Sequence, residues 1–258
     1  MTSATLALSD SATMVRRNLR RMRRYPSMTV LLVGMPIVFL LLFVYVFGGA
    51  LGAGIGTADY VDYVTPAILL MTITSVVQGT SISVAMDMTE GIVDRFRTMA
   101  IARVSVLTGH VVGSVVQALL GVTAVLAVAL LIGFRPTAGV GDWFALVGVL
   151  LLMSFAFVWL AVALGLAAGS VESASNVGMP LVLLPFLGSG FVPTESMPTV
   201  LRWFAEYQPF TPFIETLRGL LMGTPIGVNA LLALGWGVVI AAGGYLWSTK
   251  LFNKESTR

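Results

Sequence analysis

Long apolar segments alternate with shorter polar ones along this chain, and the alternation predicts its architecture. Six of the apolar segments are 20 or more residues long and contain no Asp, Glu, Lys or Arg. About 20 helical residues cross the roughly 30 Å hydrocarbon core of a membrane. The pattern therefore predicts an all-α polytopic membrane protein with six transmembrane helices, in one domain. The predicted spans are 28–47, 63–86, 104–134, 143–169, 173–192 and 228–248.

The arm before the first span (residues 1–27) has a helical periodicity of its own. Val15, Leu19 and Met22 recur at positions i, i+4 and i+7, with six arginines around them. A basic amphipathic helix next to a span is expected to lie in the membrane interface, with its arginines among anionic headgroups. The alternative is an unstructured arm whose arginines only orient the chain.

Residues 193–225 are too polar to span a membrane simply and too apolar for an ordinary loop. Five prolines divide this segment, and the pattern predicts two short helices. The first covers 198–207, with Arg202 and Glu206 at i, i+4. The second begins with Thr211 as cap and Pro212 as first helical residue.

The second of these helices is predicted to be amphipathic. Ile214, Leu217 and Leu221 share one face, while Glu215 and Arg218 pair on another. Two short helices that re-enter the outer leaflet fit this pattern, since irregular backbone at that depth needs protein or water around it. Two helices lying flat on the surface are the alternative.

Composition supports the membrane class and excludes several kinds of site. Of 258 residues, 57% are hydrophobic and 10% are charged, against roughly 25% charged in a soluble domain, and the mean hydropathy is +0.93. There is no cysteine and one histidine, His110. Disulfides, thiolate metal sites, Cys nucleophiles and a zinc site of several histidines are excluded. We expect no catalytic residue, metal or cofactor in this chain.

The distribution of basic residues predicts the topology. Twelve of the 15 lie in the arm, in the loop 87–103 and in the tail after the last span. Residues 51–62 contain two aspartates and no base. Because Lys and Arg are enriched in cytoplasmic loops, we expect both termini and residues 87–103 in the cytoplasm, and the chain in the cytoplasmic membrane.

The chain lacks the usual sources of energy for transport. Proton-coupled carriers keep ionisable residues inside the membrane, but here the nearest acids, Asp87 and Glu172, lie at predicted membrane edges. A phosphate-binding G-x-x-x-x-G-K-[ST] motif is absent, since Lys250 and Lys254 are the only lysines. If ATP drives this protein, a separate polypeptide that docks on the cytoplasmic side must hydrolyse it. A proton-coupled carrier remains the alternative.

The loop "EGIVDRFRTMAIAR" (residues 90–103) suits such docking. Ile92, Phe96 and Met99 form a helical apolar edge at i, i+4 and i+7, with charged residues around it. A short helix of this kind fits a groove on a partner protein. By its residues alone, a solvated turn is equally compatible.

Polar residues inside the predicted spans are candidates for a translocation path. Thr74, Gln78 and Ser81 form a narrow stripe on the second span, and Asn176 lies in the fifth. Such groups would give weak hydrogen bonds to a hydrophobic substrate at an interface between two copies of the chain. Ordinary helix packing, in which small hydroxyl residues are common, is the alternative reading. We expect His110 to be a packing residue near the end of the third span.

Two long motifs carry a family resemblance. "MDMTEGIVDRFRTMAIARVSVLTGHVVGSVV" (86–116) and "SGFVPTESMPTVLRWFAEYQPFTPFIETLRGLLMG" (189–223) resemble the corresponding regions of ABC-2 permeases. The likeness is particularly to the daunorubicin-resistance, antibiotic-transport type. The family often has proline after the R-F-R-x-(L/M) stretch, where this chain has Ala100. That helix is therefore expected to extend further.

The resemblance implies the membrane subunit of an ABC exporter. Two copies would pair with two copies of a separate ATP-binding subunit, which carries ATP and Mg, and no nucleic acid is involved. The residues carried over to a coupling role on that subunit are Glu90, Gly91, Asp94, Arg95, Phe96 and Arg97. The external re-entrant region includes Gln208, Pro209 and Glu215. The cargo would be a hydrophobic or amphiphilic, drug-like compound, or alternatively a lipid or lipid-linked glycan.

Overall fold

The computed structural model describes residues 26–55, 60–91 and 103–254. The predicted amphipathic helix of the arm and the middle of the loop 87–103 lie outside these ranges. The described chain is mainly helical and contains no strand. Its α-helices are α1 (Pro26–Leu41), α2 (Gly48–Ile55), α3 (Tyr60–Thr89), α4 (Arg103–Leu131), α5 (Val140–Ala167), α6 (Val171–Leu183), α7 (Thr199–Tyr207), α8 (Phe210–Met222) and α9 (Asn229–Lys254).

Five helical segments of the described chain are long and apolar enough to cross a membrane, so this is a multi-pass membrane protein. They are Val30–Ala53, Tyr60–Thr89, Leu107–Leu131, Val140–Ala167 and Asn229–Phe252. Each contains most of one predicted span, and those five predictions are confirmed as helices. The predicted span 173–192 corresponds to a shorter apolar helix, Val171–Leu187.

Helix α3 lies at the centre of the bundle, and we name the two ends of the molecule after the residues at its two ends. Most of its residues are buried from Tyr60 to Asp87. We call the two ends the Tyr60 end and the Gly91 end. A Cβ atom on Gly79 would lie 2.7 Å from a methyl carbon of Leu32, and one on Gly165 would lie 2.6 Å from the carbonyl oxygen of Ser81. Glycine therefore lets α1 and α5 approach α3 closely.

The first span is longer than its sequence pattern predicts. Beyond α1, a π-helical stretch (Leu42–Phe47) and then α2 extend it to Ile55. The prediction ended at residue 47 because the glycines that follow have poor intrinsic helix propensity. Packing offsets that deficit, since a Cβ atom on Gly52 would lie only 3.5 Å from the Cβ atom of Tyr60.

Helix α6 and the short 3₁₀ helix after it (Leu184–Leu187) run from the Gly91 half of α3 to the Tyr60 end. The Gln78 amide donates to the carbonyl of Ser175 at 3.3 Å, and the Tyr60 hydroxyl donates to the carbonyl of Phe191 at 2.8 Å. The 18 residues of α3 between Tyr60 and Gln78 span about 27 Å at 1.5 Å per residue.

The helical segment ends at Leu187 rather than at the predicted residue 192. Pro185 lies at the start of the 3₁₀ helix and has no N–H to donate. The carbonyls of Ser189 and Phe191 accept from the hydroxyls of Tyr63 and Tyr60 instead of from a following helical turn. Tertiary hydrogen bonds thus stabilise an irregular turn where hydropathy alone predicts helix.

The two short helices predicted within 193–225 are present as α7 and α8. Arg202 donates to Glu206 at 2.8 Å, as its i, i+4 spacing predicts, and this hydrogen bond raises the pKa of the Arg202 guanidinium. The predicted Thr211 cap is wrong, because α8 begins at Phe210 directly after Pro209. The Thr211 hydroxyl instead accepts from the backbone N–H of Ser189 at 3.2 Å.

Helices α7 and α8 differ in burial. Ile214, Leu217 and Leu221 of α8 are fully buried, as the apolar face predicts. Helix α8 packs among α3, α5 and α9, so a helix lying flat on the surface does not describe it. Val200 and Trp203 of α7 are 85% and 66% exposed, and only α7 fits the surface description.

Candidate functional site

At the Gly91 end, the structure describes the first two residues of the predicted coupling segment. The backbone N–H of Gly91 donates to the carbonyl of Met88 at 3.1 Å, and that of Glu90 donates to Met86 at 2.9 Å. Gly91 has φ +66°, the left-handed conformation that ends many helices and favours glycine. Gly91 therefore fixes the direction in which the chain leaves α3. The other coupling candidates, Asp94, Arg95, Phe96 and Arg97, lie outside the described residues.

A buried acid–histidine pair joins the two helices on either side of that segment. Oδ2 of Asp87 on α3 lies 3.1 Å from Nε2 of His110 on α4, and the two residues are 1% and 5% exposed. Two turns deeper, the Thr80 hydroxyl donates to the Ser114 hydroxyl at 2.8 Å. Sequence reasoning noticed Asp87 and His110 separately, but 23 residues separate them, and no local spacing rule predicts that they meet.

The four candidates for a translocation path do not form one surface. Thr74 and Ser81 are fully buried inside the chain, and the Thr74 hydroxyl donates to the carbonyl of Met71 at 3.0 Å. Gln78 contacts α6, since a Cβ atom on Gly178 would lie 3.1 Å from its Cγ. Asn176 is exposed on α6. The structure thus brings α6 against the stripe, while the role of these residues in transport stays a prediction.

A polar network organises the Tyr60 end and was not foreseen as a whole. The Tyr63 hydroxyl donates to the Ser189 carbonyl at 2.8 Å. Nη2 of Arg218 donates to the carbonyls of Ser189 and Tyr63 at 3.0 and 3.1 Å, and its guanidinium lies 4.0 Å from the centre of the Tyr63 ring. Glu215 pairs with Arg218, as the sequence predicts. Arg218 therefore connects α8, α3 and the irregular turn after α6.

Gln208 and Pro209 lie beside this network, between α7 and α8. Gln208 is 6% exposed, and neither atom of its amide has a hydrogen-bond partner among the described residues. A Cβ atom on Gly188 would lie 3.0 Å from Nε2 of Gln208. The amide therefore packs against the turn that begins at Gly188.

Aromatic rings cover the other side of this turn. The ring of Phe191 lies 4.5 Å from those of Phe43 and Phe186, centre to centre, and Phe39 contacts Phe186 at 5.7 Å. This cluster connects the first span to the turn. Sequence reasoning missed it because its members come from two distant segments. Within the described ranges, no three His, Asp or Glu side chains meet in a way that could hold a metal ion.

Comparisons with known proteins agree with the resemblance of the two motifs. The chain is 29% identical over 220 residues to the daunorubicin resistance ABC transporter permease protein DrrB1 of Streptomyces coeruleorubidus, covering 84% of this chain and 77% of that protein. It is 22% identical over 146 residues to a probable doxorubicin resistance ABC transporter permease protein, DrrC, of Mycobacterium tuberculosis, covering 57% and 53% respectively. The profile of the ABC-2 type transporter family matches residues 11–222. This chain therefore belongs to the ABC-2 type transporter family.

Proposed function

We propose that this chain is the permease subunit of an ABC exporter that moves a hydrophobic or amphiphilic, drug-like compound out across the cytoplasmic membrane. The match to a daunorubicin resistance permease over 84% of the chain carries this proposal. ATP and Mg bind to a separate nucleotide-binding subunit, since this sequence has no phosphate-binding motif of its own.

The Gly91 end is the cytoplasmic end of the molecule in this proposal. Helix α3 ends there and α4 begins there. The start of α1 and the end of α9 lie toward the same end, since Leu32 packs at Gly79 and Phe252 belongs to the same buried cluster as Val84. Twelve of the 15 basic residues lie in the segments that adjoin this end, as expected for cytoplasmic loops. Both termini are then cytoplasmic, which requires an even number of crossings.

A sixth crossing is supplied by the segment from Val171 to Phe191. Its two hydrogen bonds to α3 are separated by about 27 Å along that helix, close to the roughly 30 Å thickness of the hydrocarbon core. A helix of 17 residues followed by an irregular turn suffices because α8 and the tyrosines of α3 surround the turn. Protein rather than lipid then satisfies its backbone groups. Helix α8 is the re-entrant element of this arrangement.

The loop that joins α3 to α4 docks on the nucleotide-binding subunit. Glu90 and Gly91 set its starting direction, and the apolar edge with Phe96 enters a groove on that subunit. Asp94, Arg95 and Arg97 provide charge complementarity around it. Two copies of this chain pair with two copies of that subunit.

The translocation path lies between the two copies, where α6 presents a polar group. Asn176 is exposed on a helix whose neighbouring Val177 and Met179 are also exposed. A polar side chain on a membrane helix is better accommodated at a protein interface or in a water-filled path than in lipid. Gln78, which contacts α6, lies beside this helix, whereas Thr74 and Ser81 are buried inside the chain.

Two other activities are distinguishable from this one. An ABC-2 exporter of a lipid or lipid-linked glycan shares the architecture and differs in cargo. A proton-coupled carrier would need ionisable groups along its path. The sequences of the six predicted spans contain no Asp, Glu, Lys or Arg, and the Asp87–His110 pair lies at one end only.

Co-expression with the nucleotide-binding subunit from the same genome tests the proposal. We expect a complex with two copies of each chain whose ATPase activity is stimulated by daunorubicin or doxorubicin in lipid nanodiscs. Stimulation by lipid or lipid-linked glycan alone would show that the cargo is of that class and not a drug-like compound. Failure of the two chains to co-purify would reject it.

A further inference from the structure

Two polar contacts join α3 to α4 in the half of the molecule near the Gly91 end. The Asp87–His110 pair and the Thr80–Ser114 hydrogen bond both cross this contact, at 3.1 and 2.8 Å. The four residues are between 1% and 5% exposed. The seven residues from Thr80 to Asp87 place the two links about 10 Å apart along α3.

A third contact continues the same line deeper into the bundle. A Cβ atom on Gly121 of α4 would lie 3.0 Å from the methyl carbon of Thr72 on α3. Glycine is therefore what lets the two helices approach at this level. We call the contact between α3 and α4 from Thr72 to Asp87 the seam, and it is about 22 Å long.

Separation of α3 from α4 would break both polar links in a buried region, although the Thr80 hydroxyl would keep its 2.8 Å contact with the Val76 carbonyl within α3. An unpaired buried hydroxyl, carboxylate or imidazole loses its hydrogen bond without regaining water, which is strongly unfavourable. On the faces of α3 that contact α1 and α5, the close contacts involve glycine and apolar side chains instead. Gly79 meets a methyl group of Leu32 on α1, and Gly165 on α5 faces Val84.

In the half of the molecule near the Gly91 end, the contact between α3 and α6 is looser than the seam. At the Tyr60 end, the Tyr60 and Tyr63 hydroxyls hold the turn after α6 through hydrogen bonds of 2.8 Å. Its hydrogen bond, from Gln78 to the Ser175 carbonyl, is 3.3 Å long and only part-buried. Gly178 of α6 lies against the aliphatic part of Gln78. One part-buried hydrogen bond of 3.3 Å beside a glycine resists relative movement of two helices less than the two buried contacts of 3.1 and 2.8 Å between α3 and α4.

We infer that α3 and α4 move as one rigid unit against the half of α6 nearest the Gly91 end during transport, while the turn after α6 stays bonded to α3. Asp87 and His110 are then positioning residues that hold the two helix ends flanking the coupling loop. This inference rests on the proposed function. A push on the loop would otherwise spread α3 from α4. The seam makes both helices follow it together.

Disulfide cross-linking tests the rigid unit directly, because the chain has no cysteine of its own. A Thr80→Cys, Ser114→Cys double variant replaces hydroxyls that already touch. We expect it to form a disulfide on mild oxidation and to keep substrate-stimulated ATPase within about twofold of its reduced form. Loss of stimulation on oxidation, with recovery on reduction, would overturn the inference.

A second cross-link supplies the matched comparison. In the Gln78→Cys, Gly178→Cys variant the two Cβ atoms would be 3.5 Å apart, within the usual disulfide range of about 3.5–4.5 Å. This link joins α3 to α6, and we expect oxidation to reduce stimulation at least tenfold relative to the same reduced protein. Full activity of the oxidised form would contradict movement of the unit against α6.

Exchange of the pair tests the positioning role. Asp87→Ala and His110→Ala should each lower the ratio of stimulated to basal ATPase about tenfold in the assembled complex, and the Asp87→His, His110→Asp exchange should restore it. A purely structural role would lower the melting temperature and yield but leave that ratio unchanged in the folded fraction. An exchange that restores stability without restoring the ratio would therefore refute the inference.

These experiments separate failure of the inference from failure of the proposed function. If the wild-type complex shows no substrate stimulation, the proposed function fails. The seam is then still tested in the isolated full-length chain, where the Thr80→Cys, Ser114→Cys disulfide should form at least tenfold faster than the Gln78→Cys, Gly178→Cys one. Equal rates would count against a fastened seam.

Discussion

The two ends of the helix bundle use charged residues differently. The segments at the Tyr60 end carry three basic and six acidic residues, and those at the Gly91 end carry twelve basic and six acidic ones. At the Tyr60 end, Arg202 and Arg218 pair with glutamates, and the Arg135 guanidinium donates to two carbonyls. The arginine side chains at this end therefore form contacts within the chain.

The Gly91 end instead carries an excess of positive charge outside its buried Asp87–His110 pair. Such an excess fits anionic headgroups and a partner protein better than it fits internal pairing. In the proposed function, the Tyr60 end keeps its shape through contacts within the chain, and the Gly91 end interacts with the membrane surface and the partner subunit. The predictions below test that division, from the largest expected effect to the smallest.

Substitution of Phe96 by Ala should abolish substrate-stimulated ATPase in the purified complex, without blocking membrane insertion, because it removes the aromatic residue proposed to enter the partner's groove. Reversal of Asp94 and Arg95 should do the same. The control is Trp203→Ala at the Tyr60 end, an exposed aromatic that contacts Tyr207, which should retain stimulation. Unchanged stimulation in Phe96→Ala would refute the coupling role.

Removal of Arg218 should damage the Tyr60 end more than removal of Arg202. Arg218→Gln removes the ion-pair partner of Glu215 and one hydrogen bond from each of the Ser189 and Tyr63 carbonyls. We expect a loss of about 2–3 kcal/mol in the free energy of unfolding. Arg202→Gln breaks an exposed pair, which solvent screens, and should cost distinctly less. Unfolding in detergent micelles measures both. Equal losses would contradict the structural role of the network.

Alanine at Gly190 should destabilise the protein, whereas alanine at Gly169 should not. A Cβ atom on Gly190 would lie 2.5 Å from that of Ala67 and 3.1 Å from Ile214, whereas one on Gly169 would meet nothing within 4 Å. Overpacking of this kind costs about 1–3 kcal/mol. Melting temperatures of the two variants in nanodiscs decide the point. A similar shift in both would show that packing at Gly190 is not limiting.

A proton gradient imposed without ATP should drive no efflux from vesicles containing the complex. One buried acid–histidine pair at the Gly91 end is not a relay across a membrane. Efflux in response to the gradient alone, in the absence of nucleotide, would restore the proton-coupled carrier. The same vesicles supplied with ATP are the positive control.

Sequence patterns predicted the parts of this molecule that depend on neighbours close in the chain. The long apolar helices follow from the length and hydropathy of uncharged segments. Helices α7 and α8 follow from the placement of prolines, and the pairs Arg202–Glu206 and Glu215–Arg218 follow from helical spacing. The coupling residues after Gly91 and the amphipathic arm stay predictions, because the described ranges do not include them.

The misjudged features are those decided by distant contacts. The turn after Leu187 depends on Tyr60 and Tyr63, more than 120 residues away along the chain. Extension of the first helix to Ile55 depends on glycine packing against Tyr60. Hydropathy and propensity describe neither, since each is a tertiary contact that overrides a local preference.

The central claim is that the Gly91 end, and not the Tyr60 end, binds the nucleotide-binding subunit. Because the chain is free of cysteine, one thiol placed at either end gives an unambiguous cross-linking site. Arg97→Cys and Glu195→Cys, each treated with a short bifunctional reagent in the assembled complex, are the measurement. We predict that only Arg97→Cys captures the nucleotide-binding subunit. Capture from Glu195→Cys, or from neither position despite co-purification, would contradict the account.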